Sequence, residues 1–192
     1  IVLRDEYQAK VGHFDSLGDK IAALQKELAK AEKSLVTFGK ALEASRQKVA
    51  KTLNASVDDL LRQVGLENAK FEVVVARNVD AQGILSVDSE RIQPNAGGLN
   101  TVDFRIRTNA GMPMGSLGQI ASGGEISRVM LAIKAALAEK AELSVLIFDE
   151  IDTGISGEIA NKVGKVMAQL AKRYQLIAIT HLPQIAAKGN CY

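Results

Sequence analysis

The 192-residue sequence has a single cysteine, Cys191. One thiol excludes an intramolecular disulfide framework and fits a reducing compartment, so the expected location is cytoplasmic. Aromatic residues make up only 4%, too few for a platform on which nucleic-acid bases could stack. No stretch approaches the roughly 18 consecutive apolar residues that a membrane-spanning helix needs, so no membrane role is expected. The opening IVLRDEYQAK lacks the basic segment and apolar run of a secretory signal. An excess of one charge is missing too: 24 Lys and Arg face 22 Asp and Glu, for a net charge of +2 and a pI near 8.6. Such balance neither demands nor excludes a nucleic-acid partner. Apolar residues, by contrast, reach 47%, enough for one sizeable domain or for a domain with an extension. The sequence starts without methionine and stops at GNCY, and the expectation is a piece of something longer.

In the first third, apolar residues recur in alternating steps of four and three: Leu17, Ile21, Leu24, Leu28, Ala31, Leu35, Phe38, Leu42 and, a heptad on, Val49. A spacing near 3.5 keeps one narrow seam facing a partner helix, as in a coiled coil, whereas a helix packed on a globular core shows a wider 3.6-period stripe. Lys20, Lys26, Glu27, Lys30, Glu32, Lys33, Lys40 and Glu43 fall between the seam positions and form a solvated outer face. Gly18-Asp19 interrupts the pattern, which predicts that residues 1–17 are an antiparallel or offset partner of the long helix. Gly65 is the expected stop. Residues 1–65 are thus read as the base of a helical arm, and 66–192 as a globular lobe.

From Phe71 the period changes. FEVVVA, GILSVD and TVDFRIRTN are short β-branched runs separated by glycine-rich turns, and they predict strands of an antiparallel sheet. A helix over about 125–142, an apolar strand VLIFD, a helix over about 159–174 and a second apolar strand LIAIT follow. Two strands apolar on both faces and joined by a helix predict a parallel βαβ unit whose loops gather at the strands' C-terminal ends. The fold class is α/β, a mixed sheet with flanking helices, plus a long helical segment.

Three short strings carry chemistry. In VLIFDEID, Asp149 and Glu150 fall where a buried strand exits. Adjacent carboxylates there are either solvent-exposed acids or a cation-and-water pair, with Asp149 holding a hydrated Mg²⁺ and Glu150 activating a water for attack on a γ-phosphate. In ASGGEISR, Ser122 to Glu125 match an S-x-x-E capping box. A cap does not need two glycines, and Gly123 and Gly124 leave backbone N–H groups open to a phosphate at a helix N-terminus. In LIAITH, His181 follows a strand and is expected on the same edge as the acids. His13, in the arm, reads as a surface residue.

The order of these strings, SGGE, then four apolar residues and DE, then TGISG, then ITH, resembles the C-terminal half of an ABC-type ATPase head. With the heptad lead-in, it resembles the heads related to structural maintenance of chromosomes (SMC) proteins. The longer strings FRIRTNAGMPM, IASGGEISRVMLAIK, LIFDEIDTGISG and ITHLPQIAA are similar to the RecN family of bacterial DNA repair proteins; the likeness runs from about Phe71 to Asn190. The resemblance implies ATP and Mg²⁺. It makes Ser122, Gly123, Gly124 and Glu125 the signature motif, which acts on nucleotide held by a partner head. Asp149 and Glu150 become the Walker B pair, and His181 the switch histidine. Asp152, Gly154, Ile155, Ser156 and Gly157 fall in the D-loop. It further implies a homodimer with ATP sandwiched between heads, DNA as a partner and a place on the nucleoid.

One departure stands out. No G-x-x-x-x-G-K-[ST] string exists; the nearest spacing, Gly118 to Gly123, continues with Gly124-Glu125. The family carries its P-loop (Walker A) in an N-terminal lobe beyond a coiled coil, so the chain by itself is expected to be inactive. Other coiled-coil ABC ATPases of chromosome maintenance, a transporter nucleotide-binding subunit and a tether with a dead site are the competing readings. Arg46, Lys48 and Lys51 form a modest basic run near the arm base, and Arg105 and Arg107 alternate on a strand. Solvated faces account for them equally well.

Overall fold

The computed structural model describes the backbone of residues 2–119, 123–138 and 145–191, and side chains over 17–118, 123–138 and 145–191. The chain forms two compact units, residues 1–45 with 76–101 and residues 46–75 with 102–192.

Helix α1 runs without a break from Val2 to Gln63, 62 residues, or about 90 Å at 1.5 Å per residue. The expected interruption at Gly18-Asp19 is therefore wrong, and residues 2–17 are the first turns of the same helix. One glycine costs only about 1 kcal/mol, and helix propagation through good formers on either side outweighs that cost. The seam is apolar as read, and it is uncovered: Ile21, Leu24, Leu28 and Phe38 are all more than half exposed. Gly65 does end the helix. Its φ is +82°, its N–H reaches Arg62 O at 3.2 Å, and the Leu66 N–H reaches Leu61 O at 2.9 Å. Those bonds satisfy the last carbonyls in the Schellman arrangement.

In the first unit, β2 (Leu85–Val87) and β3 (Glu90–Ile92) form a tight hairpin, pairing Val87 with Glu90. Asp88 and Ser89 at its tip both have positive φ, as a two-residue hairpin turn demands. Leu85, Val87, Ile92 and Leu99 make a small core with Val36. Arg77 is its electrostatic centre, bonded to Glu43, Asp88 and Glu90. The carboxylates of Glu43, Asp88 and Glu90 hold its guanidinium above the ordinary arginine value against the effect of burial.

β1 (Lys70–Arg77), β4 (Asn100–Arg107) and β5 (Gly115–Ser116) form one sheet in the order β1-β4-β5, with 70–75, 102–107 and 115–116 in the second unit and 76–77 and 100–101 in the first. GILSVD does not join it, contrary to the expected single antiparallel sheet, because β2 finds a closer partner in β3. The tail of α1 holds β1: Asp58, buried, accepts the Phe71 N–H at 2.9 Å and pairs with Lys70, while Asn54 Oδ1 accepts the Val73 N–H at 2.9 Å.

Helix α2 (Gly123–Leu137) leads toward β6 (Val145–Phe148), and α3 (Gly157–Leu170) connects β6 to β7 (Gln175–Ala178). β6 and β7 pair in parallel, Phe148 beside Ala178, as the βαβ reading requires. Leu146, Phe148, Val129, Leu131, Ala160, Val163 and Met167 lie in one core with Leu61 and Phe71. A short helix α4 (Pro183–Ala186) closes the lobe. Both faces of the strand pair are apolar in sequence, but only one is covered. Val145, Ile147, Ile177 and Ile179 are 45%, 67%, 46% and 59% exposed.

Candidate functional site

The site is built at the C-terminal ends of β6 and β7. β6 ends at Phe148, so Asp149 and Glu150 leave the sheet side by side, both exposed. Asp149 Oδ1 caps the turn by accepting the Glu150 N–H at 2.9 Å. Glu150 has φ +54°, a left-handed backbone that non-glycine residues seldom adopt outside sites where geometry is imposed.

Gly123 and Gly124 are the first residues of α2. A Cβ on Gly123 would lie 2.1 Å from Glu150 Oε2, so the acid sits directly against the bare start of the helix. A Cβ on Gly124 would lie 2.6 Å from the Thr153 carbonyl oxygen and 2.9 Å from its Cβ. Close approach of the acid loop's backbone thus requires a glycine at 124, whereas at Gly123 the neighbour is the movable end of a side chain. Ser122 lies outside the described residues, and Glu125 occupies the first turn of α2.

Two residues that the sequence reading passed over tie the loop to the helix. Ser127 Oγ donates to the Asp149 carbonyl at 2.7 Å, and Arg128 Nη1 donates to the Thr153 carbonyl at 2.8 Å. Arg128 is 6% exposed, its Nε has no partner, and burial lowers its pKa while the charge of Glu125 acts to raise it. A charged residue in phase with Gly124 and Leu131 on the buried stripe of α2 was the sequence signal for it.

Of the expected D-loop residues, Gly154 (φ +74°) provides the turn, Ile155 packs on the core, Ser156 is the exposed N-cap position of α3, and Gly157 begins that helix. Asp152 behaves differently: it is 4% exposed and turns inward, to the end of β7. Its Oδ2 accepts Thr180 Oγ1 at 2.5 Å and the His181 N–H at 2.8 Å, and lies 3.2 Å from His181 Nδ1. Burial works to raise this carboxyl, but the Thr180 hydroxyl and the His181 and Leu182 amides together hold it below its ordinary value. The His181 side chain itself is 75% exposed on the edge that carries the acids.

The arrangement suits a phosphorylated, magnesium-bound ligand in part. The Glu150 carboxylate lies against Gly123 at the α2 N-terminus, where amide N–H groups suit an anion. Asp149 Oδ1 is taken by the Glu150 N–H, and its other oxygen could face a hydrated cation. Among the described residues, no group of three or more His, Cys, Asp or Glu could hold a metal alone. A cation at Asp149 would need ligands from nucleotide, water or another segment.

No protein-family model matches the chain. Curated relatives do. The DNA repair protein RecN of Rickettsia bellii is 37% identical over 193 residues, covering 99% of this chain and 33% of that protein. RecN of Haemophilus influenzae is 41% identical over 150 residues, 78% of the chain and 25% of the relative. RecN of Bacillus subtilis is 32% identical over 196 residues, 97% and 34%. The chain thus spans about a quarter to a third of the length of the relatives it matches. Among solved structures, the Smc head domain with coiled coil and joint from Pyrococcus yayanosii superposes with a TM-score of 0.52 at 15% identity, covering 75% of this chain and 24% of that one. The Pyrococcus furiosus Smc head with an extended coiled coil, bound to the C-terminal domain of ScpA, gives 0.50 at 15%, covering 75% and 31%. These structures establish an SMC-type ATPase head fold, and together with the sequence matches they place the chain: it belongs to the RecN family, as the C-terminal head lobe with the base of its helical arm.

Proposed function

We propose that the full-length protein carrying this chain is an SMC-like ATPase of DNA double-strand-break repair and recombination, in which ATP binding engages two heads and hydrolysis releases them. The observation that carries this reading is the meeting of the bare α2 N-terminus with the Asp149–Glu150 loop on the edge where His181 emerges. In that reading Ser122, Gly123, Gly124 and Glu125 meet nucleotide bound by a partner copy. Asp149 holds Mg²⁺ through water, and the ion supplies neutralisation of phosphate charge. Glu150 takes the proton of the attacking water while the bond from the γ-phosphorus to the ADP oxygen breaks. His181 donates to a γ-phosphate oxygen. Gly154 to Gly157 form the D-loop beside the partner.

The P-loop belongs to an N-terminal lobe, and the open apolar face of β6 and β7 supports its docking. Four β-branched residues left in water at the centre of a fold call for a cover, and most of the relatives' length lies outside this chain. DNA is the macromolecular partner, met in the cytoplasm on the nucleoid, and the uncovered seam of α1 pairs with the returning strand of the arm. Among the described residues, no helix is long and apolar enough to cross a membrane.

The test is Glu150→Gln in the full-length protein. ATP binding and nucleotide-dependent dimerisation persist, while turnover falls by about 10²-fold or more. An unchanged steady-state rate removes Glu150 from the reaction. The 192-residue chain alone gives no turnover, and robust hydrolysis by it contradicts the divided site.

A further inference from the structure

The fold contains a buried carboxylate that the proposed chemistry does not use. Asp152 is three residues past Asp149 and is buried, 4% exposed. One of its oxygens, Oδ2, accepts from Thr180 Oγ1, from the His181 N–H and, at 3.3 Å, from the Leu182 N–H. Thr180 Oγ1 in turn accepts the Leu182 N–H at 3.2 Å. The result is a set of bonds around the three residues Thr180-His181-Leu182, in which the Thr180 hydroxyl and the His181 and Leu182 amides all point at one acid. Strand pairing reaches the Ile179 N–H, which donates to Phe148 O at 2.9 Å, and the Leu182 carbonyl accepts the Ile185 and Ala186 amides of α4. Between those anchors, Asp152 is bonded to the turn that carries the exposed His181 ring.

We infer that Asp152 is the positioning residue for His181, a carboxylate that holds the histidine turn to the acid loop so that the imidazole and Glu150 stay in register on one edge. This rests on the proposed ATPase reading. A buried carboxylate accepting several donors is strongly held, since removing it strands the Thr180 hydroxyl and the His181 amide and leaves the Leu182 amide only Thr180 Oγ1. Ile151, fully buried beside it, anchors the same loop in the core, so the acid is fixed from the side of β6 while it fixes the side of β7. Asparagine is nearly the same shape, and its oxygen can take the place of Oδ2, but it carries no charge, so the bonds to the turn lose their charge-assisted strength.

The experiment is a double-mutant cycle in the full-length protein. Wild type, Asp152→Asn, His181→Ala and the double variant are compared for kcat, for ATP affinity measured by equilibrium titration and for thermal midpoint. Asp152→Asn lowers kcat about tenfold or more with ATP affinity changed less than threefold, and the double variant is no slower than His181→Ala alone. Thr180→Val, which keeps shape and loses the hydroxyl as donor to Asp152 and as acceptor from the Leu182 N–H, gives a smaller loss that also vanishes in the His181→Ala background. Thr180→Ser restores the wild-type rate. Losses that multiply across the cycle overturn the inference, as does an Asp152→Asn or Thr180→Val protein with full kcat. If wild-type protein or Glu150→Gln departs from its own expected behaviour, the ATPase reading falls on that evidence, independently of the cycle.

Discussion

At the scale of single residues, the site depends on atoms that are absent. Gly124 has no Cβ because the Thr153 carbonyl occupies the space where one would stand, 2.6 Å away. Gly123 has none because Glu150 rests there, but that neighbour is the flexible end of a side chain and can swing aside. The two adjacent glycines therefore tolerate change differently. Gly123→Ala costs little stability. Gly124→Ala pushes the acid loop off α2, straining the Arg128 and Ser127 bonds to it, and overpacking of this kind costs about 1–3 kcal/mol. Parallel denaturant titrations of the two variants read the difference. Equal midpoints would show that the loop yields more easily than its bonds suggest. In helical-propensity terms both substitutions should stabilise α2, so a loss at Gly124 alone isolates the contact.

At the scale of elements, α1 shows how weakly one glycine weighs against a cooperative helix. A Cβ on Gly18 meets nothing within 4 Å, so Gly18→Ala should gain up to about 1 kcal/mol of helix stability with no clash. Circular dichroism during thermal unfolding detects it as a higher helical midpoint, and an unchanged or lower one means that the glycine serves a contact made by the arm. Glycine looked like a break because local pattern carries no information about cooperativity. Elsewhere the pattern was sufficient. Gly65 ends α1, and β1, β6 and β7 fall on the β-branched runs, since alternation and turn chemistry are local properties. β3 and β5 were not legible: Glu90-Arg91-Ile92 and Gly115-Ser116 have little strand character and exist because a partner stands opposite. The site divides the same way. Gly123, Gly124, Asp149, Glu150 and His181 could be singled out as candidates because each stands at or just past an element's end. Arg128, Thr180 and the inward turn of Asp152 were not, because their bonds reach 25 to 29 positions along the chain and follow only from the folded loop.

At the scale of the whole molecule, what matters is the surface left open. Val145 and Ile147 on β6, and Ile177 and Ile179 at β7, alternate with residues that face the core, so they form one continuous apolar face on a two-stranded sheet. A sheet is stable when both faces are covered, and open strands with apolar faces invite association. The chain by itself should therefore self-associate as concentration rises, visible in sedimentation velocity. Ile147→Thr with Ile177→Thr keeps β-branching and removes most of the apolar contact. In the isolated chain this pair reduces association with little change in thermal midpoint, since both side chains already lie in water. In the full-length protein the same pair lowers the midpoint, because there a docked lobe buries them. A midpoint loss confined to the full-length protein is the mark of a face built to be covered by another part of the same polypeptide. A matching small effect in both would mean that the face stays in water, and the lobe carrying the P-loop would have to dock elsewhere.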